Sequence, residues 1–475
     1  MNRLSIFTVA LTILMAGWAG NCPGLELLES QTAALCHGGT PREQSRGALP
    51  VINGPVHVEI GRRDTAFHLY RDGEPYFIKG IGGRRFLESA AAAGANSVRT
   101  WGAADAGALL ERAHSANMTV MLGIWLSHHP EDYNDPSYRD QKTAEIRRLV
   151  ERHKDHPALL IWALGNEINL QGADTPAAWT FVNGLAGMIK QLDAHHPVIS
   201  IIACNSTTLN NISTFAPTLD AVGINAYGAL ARLRAMIDRS SYTGPYLITE
   251  WGVTGHWEAQ LTGWGRPIEP TSTWKADFQI KRYRLDILAN GDRCLGSYVF
   301  LWGQKQERTP TWYSMILENL PGMDSSRLAC PMVDAMHYNW TGSWPVNRAP
   351  DVWRMLINGI SAEDNIILSP GEAMISEVQA RDPENEPLTY VWELLEEPSV
   401  LSIGGSHEDR PISLASVRRD TSPSLSLRAP LVSGQYRLFV YVLDSSHHVA
   451  TANIPFEVRE PPVQEAKAGP NRPGA

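Results

Sequence analysis

Positive charge is in short supply. Lys and Arg number 41 against 50 Asp and Glu, a formal net charge of −9, which leaves no electrostatic footprint for nucleic acid or for a basic membrane-surface role. Cysteine is scarcer still, five in 475 residues, and no spacing among them resembles a zinc site. Neither a metal nor a cofactor is expected. Beyond the N-terminus no segment is long and apolar enough to span a membrane. No Gly-rich phosphate loop follows the first apolar strand, which argues against a doubly wound nucleotide-binding sheet. What is present is ordinary globular material, 43% hydrophobic and 19% charged, enough to bury a large core. Fifteen Trp is a high count, and Trp is favoured where a flat apolar face must also donate a hydrogen bond.

Two stretches organise the chain. Leu159-Leu160-Ile161-Trp162-Ala163-Leu164 is an apolar run that leaves through Gly165-Asn166-Glu167. It reads as a strand buried on both faces, with a glutamate at its C-terminal end. Tyr246-Leu247-Ile248-Thr249-Glu250-Trp251-Gly252 repeats the pattern. A buried strand-end carboxylate is costly unless it is bonded, paired or functional. Two of them supply the acid and the nucleophile that cleavage of a glycosidic bond requires.

Around these runs the chain alternates strand and helix patterns. Strands are expected at Phe77–Ile81, Ser97–Trp101, Thr119–Trp125, Leu159–Leu164, Val198–Ala203, Ala221–Tyr227, Tyr246–Thr249 and Gly296–Leu301. Amphipathic helices separate most of them, with only a weak, irregular segment after the fifth. Eight such units predict a (β/α)8 TIM barrel, whose strand ends deliver catalytic residues to one face. Ahead of it, Val56 to Phe77 alternates around Gly61 and Asp72-Gly73, the pattern of a hairpin plugging the barrel bottom. The segment from Gly303 to about Pro350 is too long for a passive connection and is expected over the barrel mouth. From Asp364 the period switches to two, predicting a small all-β, immunoglobulin-like sandwich. Its sequence does not decide whether it binds glycan, packs on the barrel or acts as a spacer.

The resulting division is a signal peptide at 1–20, a leader at 21–54, a catalytic barrel with its hairpin at 55–360, the sandwich at 361–458 and a disordered tail at 459–475. Asn2-Arg3, the apolar run from Leu4 to about Ala16 and the small residues Ala19-Gly20 read as an export signal, placing the protein in the periplasm, the cell envelope or the medium. An uncleaved anchor and a lipid on Cys22 are the alternatives, although Asn21 departs from the usual lipobox. In an oxidising compartment Cys22–Cys36 and Cys294–Cys330 are the sequence-near pairings, with Cys204 left over.

Gly165-Asn166-Glu167, Thr249-Glu250-Trp251-Gly252 and Arg99 together resemble the retaining β-glycosidase clan built on the (β/α)8 barrel. With Val222-Gly223-Ile224-Asn225-Ala226-Tyr227 the likeness is greatest to the catalytic TIM barrel of glycoside hydrolase family 2. It covers roughly residues 75 to 305. The domains that precede the barrel in that family are missing here, and a sandwich follows instead. The resemblance implies Glu167 as acid/base and Glu250 as nucleophile, Asn166 on a sugar 2-hydroxyl, Tyr227 donating to Glu250, Arg99 pairing with it, and Trp302 as a stacking floor. Asn225 and His128 complete the substrate-binding set. His128 and His129 diverge on extended backbone, so one at most lines the pocket. His153 and His156 read as solvated or capping, and Asp382-Pro383-Glu384-Asn385-Glu386 as a polar turn rather than a calcium loop.

In a retaining site the carboxyls lie about 5–5.5 Å apart, and at an effective dielectric near 20 their repulsion is about 3 kcal/mol. One group therefore stays protonated near neutral pH while the other is ionised. The expected substrate is a β-linked oligo- or polysaccharide and the expected activity that of a retaining glycosidase. Transglycosylation at the same site and a non-catalytic glycan-binding scaffold are the rival readings. Sugar identity and oligomeric state are not legible.

Overall fold

The computed structural model describes residues 54–321, 323–399, 401, 407–414 and 418–460. The expected signal, the leader except Gly54, Cys22, Cys36 and all but the first two residues of the expected tail lie outside that set.

A closed eight-stranded parallel barrel forms the centre. Its strands are Ile78–Gly82, Ser97–Arg99, Thr119–Ile124, Leu159–Asn166, Val198–Ala203, Ala221–Asn225, Tyr246–Trp251 and Cys294–Val299. Strand eight returns to strand one, Gly296 opposite Ile78 and Val299 opposite Ile81, and so closes the ring. Every residue of strands three, four and seven is buried, because one face packs inside the barrel and the other against helices.

Among the described residues eight helices surround it: α1 (Leu87–Ala92), α2 (Ala106–Ser115), α3 (Pro136–His153), α4 (Pro176–Leu192), α5 (Ser206–Phe215), α6 (Leu233–Asp238), α7 (Ser272–Arg282) and α8 (Pro331–Thr341). Local chemistry sets their starts. Asp135 and Thr175 accept backbone N–H groups ahead of Pro136 and Pro176, and Asn205 and Thr271 do the same for α5 and α7. The segment expected to be irregular after strand five is therefore a capped helix. It buries only Thr208, Leu209 and Ile212.

The N-terminal hairpin, Val58–Arg63 against Ala66–Arg71, is present. Val58 and Leu69 join Met121, Leu160, Ile161, Ile199 and Leu247 in one apolar cluster inside the barrel. The Val58 N–H donates to His195 O just ahead of strand five, and Phe67 N–H to Asp292 O just ahead of strand eight. The hairpin thus closes the end opposite the strand C-termini.

The segment after strand eight divides in function. Trp312 and Tyr313 cluster with Val253 and Phe300, and against Trp101 and Tyr227, at the mouth. The remainder forms a hairpin, Ile316–Leu320 with Met323–Ala329, and then α8, which completes the helical ring. The expectation that the whole segment covers the mouth holds only for its first part.

The C-terminal unit is all β, with sheets of three and five strands. Its first strand, Asp351–Ile357, pairs with Ala373–Arg381 and so precedes the expected boundary at 360. Val352, Met374 and Val378 from one sheet and Trp392, Leu438, Val440 and Ile454 from the other share a core. The alternate residues Val391, Leu395, Phe439, Tyr441 and Leu443 belong instead to the barrel's own cluster. The five-stranded sheet is therefore buried on both faces. That explains why Leu438-Phe439-Val440-Tyr441-Val442-Leu443 is continuously apolar rather than alternating, and the unit packs on the barrel.

The expected Cys294–Cys330 disulfide is absent: both are free, buried thiols, as Cys204 is free and part-buried. Cys294 opens strand eight with its Sγ directed to Gly296 O, while Cys330 immediately precedes α8 and makes no side-chain cap bond to it.

Candidate active site

Strand four delivers the first carboxylate through a strained exit. Gly165 has φ +72°, where a Cβ would meet Ile168 at 2.8 Å, and Glu167 has φ +52°. A non-glycine residue there costs about 1–3 kcal/mol and persists where its surroundings hold it. Here the Glu167 N–H donates to Ile201 O at 2.9 Å. Asn225, ending strand six, donates from Nδ2 to Glu167 Oε1 at 3.0 Å.

Strand seven delivers Glu250, whose two oxygens receive three donors. Arg99 Nη1 and Trp101 Nε1 reach Oε1 at 2.9 and 2.7 Å, and the Tyr227 hydroxyl reaches Oε2 at 2.8 Å. The Arg99 side chain is fully buried at the end of strand two. It also donates to Thr249 O at 2.6 Å and, through Nη2, to Asn166 Oδ1 at 2.5 Å. Thr249 Oγ1 donates to Asn225 Oδ1 at 2.8 Å, which fixes the amide that faces Glu167. One guanidinium thus ties together the ends of strands two, four and seven.

The electrostatics separate the two carboxyls. Burial pushes Glu167 up to about 7, and the nearby Glu250 charge pushes in the same direction, against the Asn225 bond and Arg99. Near neutral pH Glu167 therefore holds or releases a proton with little bias. Tyr227 is raised well above its ordinary value by burial and then by Glu250, so it stays a donor. One group is thus poised to exchange a proton near neutral pH, and the carboxylate beside it is held by three donors.

Of the residues expected at the site, Arg99, Asn166, Glu167, Asn225, Tyr227 and Glu250 converge. His128 lies against them less directly: its Nε2 contacts the backbone oxygen of Asn166 at 2.8 Å, while His129 is exposed. Trp302 does not belong there. It is 1% exposed within the barrel–helix core, its ring 6.0 Å from that of Trp340 on α8. Strand eight ends at Val299, three residues before it, so the turn rather than the strand sets where its ring packs. Trp101 was the residue sequence reasoning missed. Strand two stops at Arg99, and the turn that follows brings the Trp101 indole onto Glu250 and against Phe300, ring centroids 5.8 Å apart. Its place two residues after Arg99 was the only available signal. Among the described residues no group of three or more His, Cys, Asp or Glu could hold a metal ion.

Residues 110–275 match the family model for glycosyl hydrolases family 2, TIM barrel domain, a span that includes Asn166, Glu167, Asn225, Tyr227 and Glu250. Mannan endo-1,4-beta-mannosidase F of Aspergillus clavatus is 34% identical over 81 residues, 17% of this chain and 19% of that protein. A putative beta-glucuronidase of Formosa agariphila is 23% identical over 163 residues, 33% of this chain and 13% of that one. Among solved structures, beta-glucuronidase of Bacteroides uniformis is 14% identical over 85% of this chain and 48% of its own, with a TM-score of 0.44. The beta-D-glucuronidase of Dictyoglomus thermophilum is 15% identical over 62% and 54%, with a TM-score of 0.45. The chain spans less than a fifth of the length of these curated relatives and about half that of these structures. Through its closed eight-stranded barrel and the match over residues 110–275, the chain is similar to the TIM barrel domain of family 2 glycosyl hydrolases.

Proposed function

We propose that the protein is a retaining glycosidase acting on β-linked glycans, with Glu250 as nucleophile and Glu167 as acid/base. The observation that carries this reading is the unequal treatment of two carboxyls at one barrel mouth. Three donors grip Glu250, while Glu167 is pushed up to about 7 by burial and by Glu250.

In the first half-reaction a Glu250 oxygen attacks the anomeric carbon as the bond to the leaving oxygen breaks, and Glu167 gives that oxygen its proton. The Arg99, Trp101 and Tyr227 donors hold the attacking carboxylate in one orientation. Once Glu250 is an ester its charge is gone, and with it the largest charge effect that raises Glu167. Glu167 is then a carboxylate able to take a proton from water as that water displaces Glu250 from the anomeric carbon. The same pair serves both steps. In this reading Asn166, its Oδ1 held by Arg99 Nη2, contacts the sugar 2-hydroxyl. The N-terminal sequence supports export, which would bring the enzyme to extracellular or envelope polysaccharide.

The test is mass spectrometry of a panel of β-linked gluco-, manno- and galacto-oligosaccharides incubated with wild type and Glu250→Gln. Shorter products that depend on Glu250 are expected. Longer products would assign the site to transglycosylation, and an unchanged panel would overturn the enzymatic reading.

A further inference from the structure

Two tryptophans stand exposed at the mouth although Trp is among the costliest side chains to leave in water. Trp125 directly follows strand three and is 46% exposed, and Trp257 lies in the loop after strand seven at 60%. In a closed ring of eight strands, positions three and seven are diametrically opposed, so the indoles rise on opposite rims. Each is linked to the catalytic pair by a short chain of contacts. The Trp125 ring lies 5.1 Å from His128, whose Nε2 touches the Asn166 backbone oxygen next to Glu167. The Trp257 ring lies 5.4 Å from Tyr227, which donates to Glu250.

Both indoles are braced in the same way, edge to face against a histidine. The interplanar angles are 74° for Trp125 with His128 and 82° for Trp257 with His256, the latter pair 4.9 Å apart. Trp257 also folds back over its own loop, where a Cβ on Gly255 would fall 2.5 Å from the ring. Only a glycine admits that approach. Edge contacts fix the orientation of a ring while leaving a face open, and a ring ordered in advance loses little entropy on binding. An open aromatic face suits the apolar C–H face of a pyranose, which stacks on it while the hydroxyls remain in water.

We propose that Trp125 and Trp257 are sugar-stacking platforms on either side of the scissile bond, so that the site takes an internal stretch of a β-linked glycan chain rather than a terminal residue. This inference rests on the glycosidase reading above. A pocket built for a chain end would be walled on one side. Here an open indole lies beyond each carboxylate, and a single terminal sugar over the carboxylate pair would leave at least one of them unused.

The test uses the full chain, reducing-end-labelled β-1,4-linked gluco- and manno-oligosaccharides and β-1,3-linked gluco-oligosaccharides of two to six residues, and aryl β-glycosides of the same sugars. The hexasaccharide should be cut internally, giving labelled di- and trisaccharides first. Trp125→Ala and Trp257→Ala should each lower kcat/KM on the hexasaccharide about tenfold, mainly through KM, and on the aryl monosaccharide only about two- to threefold. Phe at either position should recover most of the loss. Trp353→Ala, an exposed Trp on the sandwich, should leave the dependence on chain length unaltered. Release of single residues from one end, or equal losses at every chain length, would overturn the proposal. If wild type turns over nothing, the glycosidase reading fails separately. Calorimetric binding of the same oligosaccharides, weakened in both Ala variants, would then still support the platforms, and no binding would overturn them.

Discussion

The barrel mouth and the junction between barrel and sandwich each bury a carboxylate against a cation, and they treat it in opposite ways. At the junction Lys275 Nζ lies 2.5 Å from Glu269 Oε1, with both side chains out of contact with solvent. Glu269 also accepts from Thr309 and Thr311 at 2.5 and 2.9 Å and from Asn453 of the sandwich at 2.6 Å, while Lys275 donates to Thr311 O. Burial pushes Glu269 up, but Lys275 and its hydrogen bonds outweigh this and hold it below the usual carboxylate range. At the mouth, Glu250 is gripped equally well, yet a second carboxyl, Glu167, lies close enough to be pushed up by it. A buried ion pair with every partner inside the protein serves structure. A pair that leaves a neighbouring acid poised for proton exchange is what the proposed chemistry requires.

The largest effect expected is at the mouth. Glu250→Gln should reduce turnover by about a thousandfold or more while the circular dichroism spectrum and melting temperature stay near wild type. Glu167→Ala should cost about 10²–10⁴-fold on glycosides with poor leaving groups and far less in the first step on aryl glycosides with activated ones, as burst kinetics would show. Equal losses on both would remove its role as acid. At the junction, Glu269→Ala strands a buried Lys275 and should lower stability by about 3–5 kcal/mol in denaturant unfolding. A small loss there would mean that the threonines and Asn453 carry the contact unaided.

The two sites should also diverge with pH. Because Glu167 must hold its proton at the first step, kcat/KM should fall as pH rises through about 7. Its raised value has the opposite consequence for stability from the lowered value of Glu269. The stability that neutral Glu167 leaves to the native state is lost as pH rises from the ordinary carboxylate range through about 7, and changes little above that. The Glu269 contribution is complete above the ordinary carboxylate range and is lost as pH falls through its lowered native value. The smallest effect follows: Glu167→Gln should melt about 1–3 °C above wild type at pH 8, and the gap should close near pH 4, where wild-type Glu167 is neutral in both states.

Much of this was legible in the sequence because burial on both faces leaves a plain signature. Leu159–Leu164 and Tyr246–Ile248 are apolar without interruption, and each is followed within three residues by the carboxylate that the barrel brings to its mouth. α5 was not legible, since Ser206-Thr207-Thr208-Leu209-Asn210-Asn211 carries few apolar residues and its helix rests on the Asn205 cap and three buried side chains. The Trp101 and Trp302 errors share one cause. Both follow a strand by two or three residues, and the direction of a side chain beyond a strand end is set by the turn rather than by the period of two. The part played by the sandwich could not be read either, because an apolar strand does not say which neighbour covers its second face.

The stereochemistry of the first product tests the nucleophilic role of Glu250 most directly. Proton NMR of the anomeric region, recorded as wild type cleaves an aryl β-glycoside, should show the β-anomer appearing first and the α-anomer only later by mutarotation, with no signal from Glu250→Gln. An α-anomer formed first would mean single displacement by water, and Glu250 would not be the nucleophile.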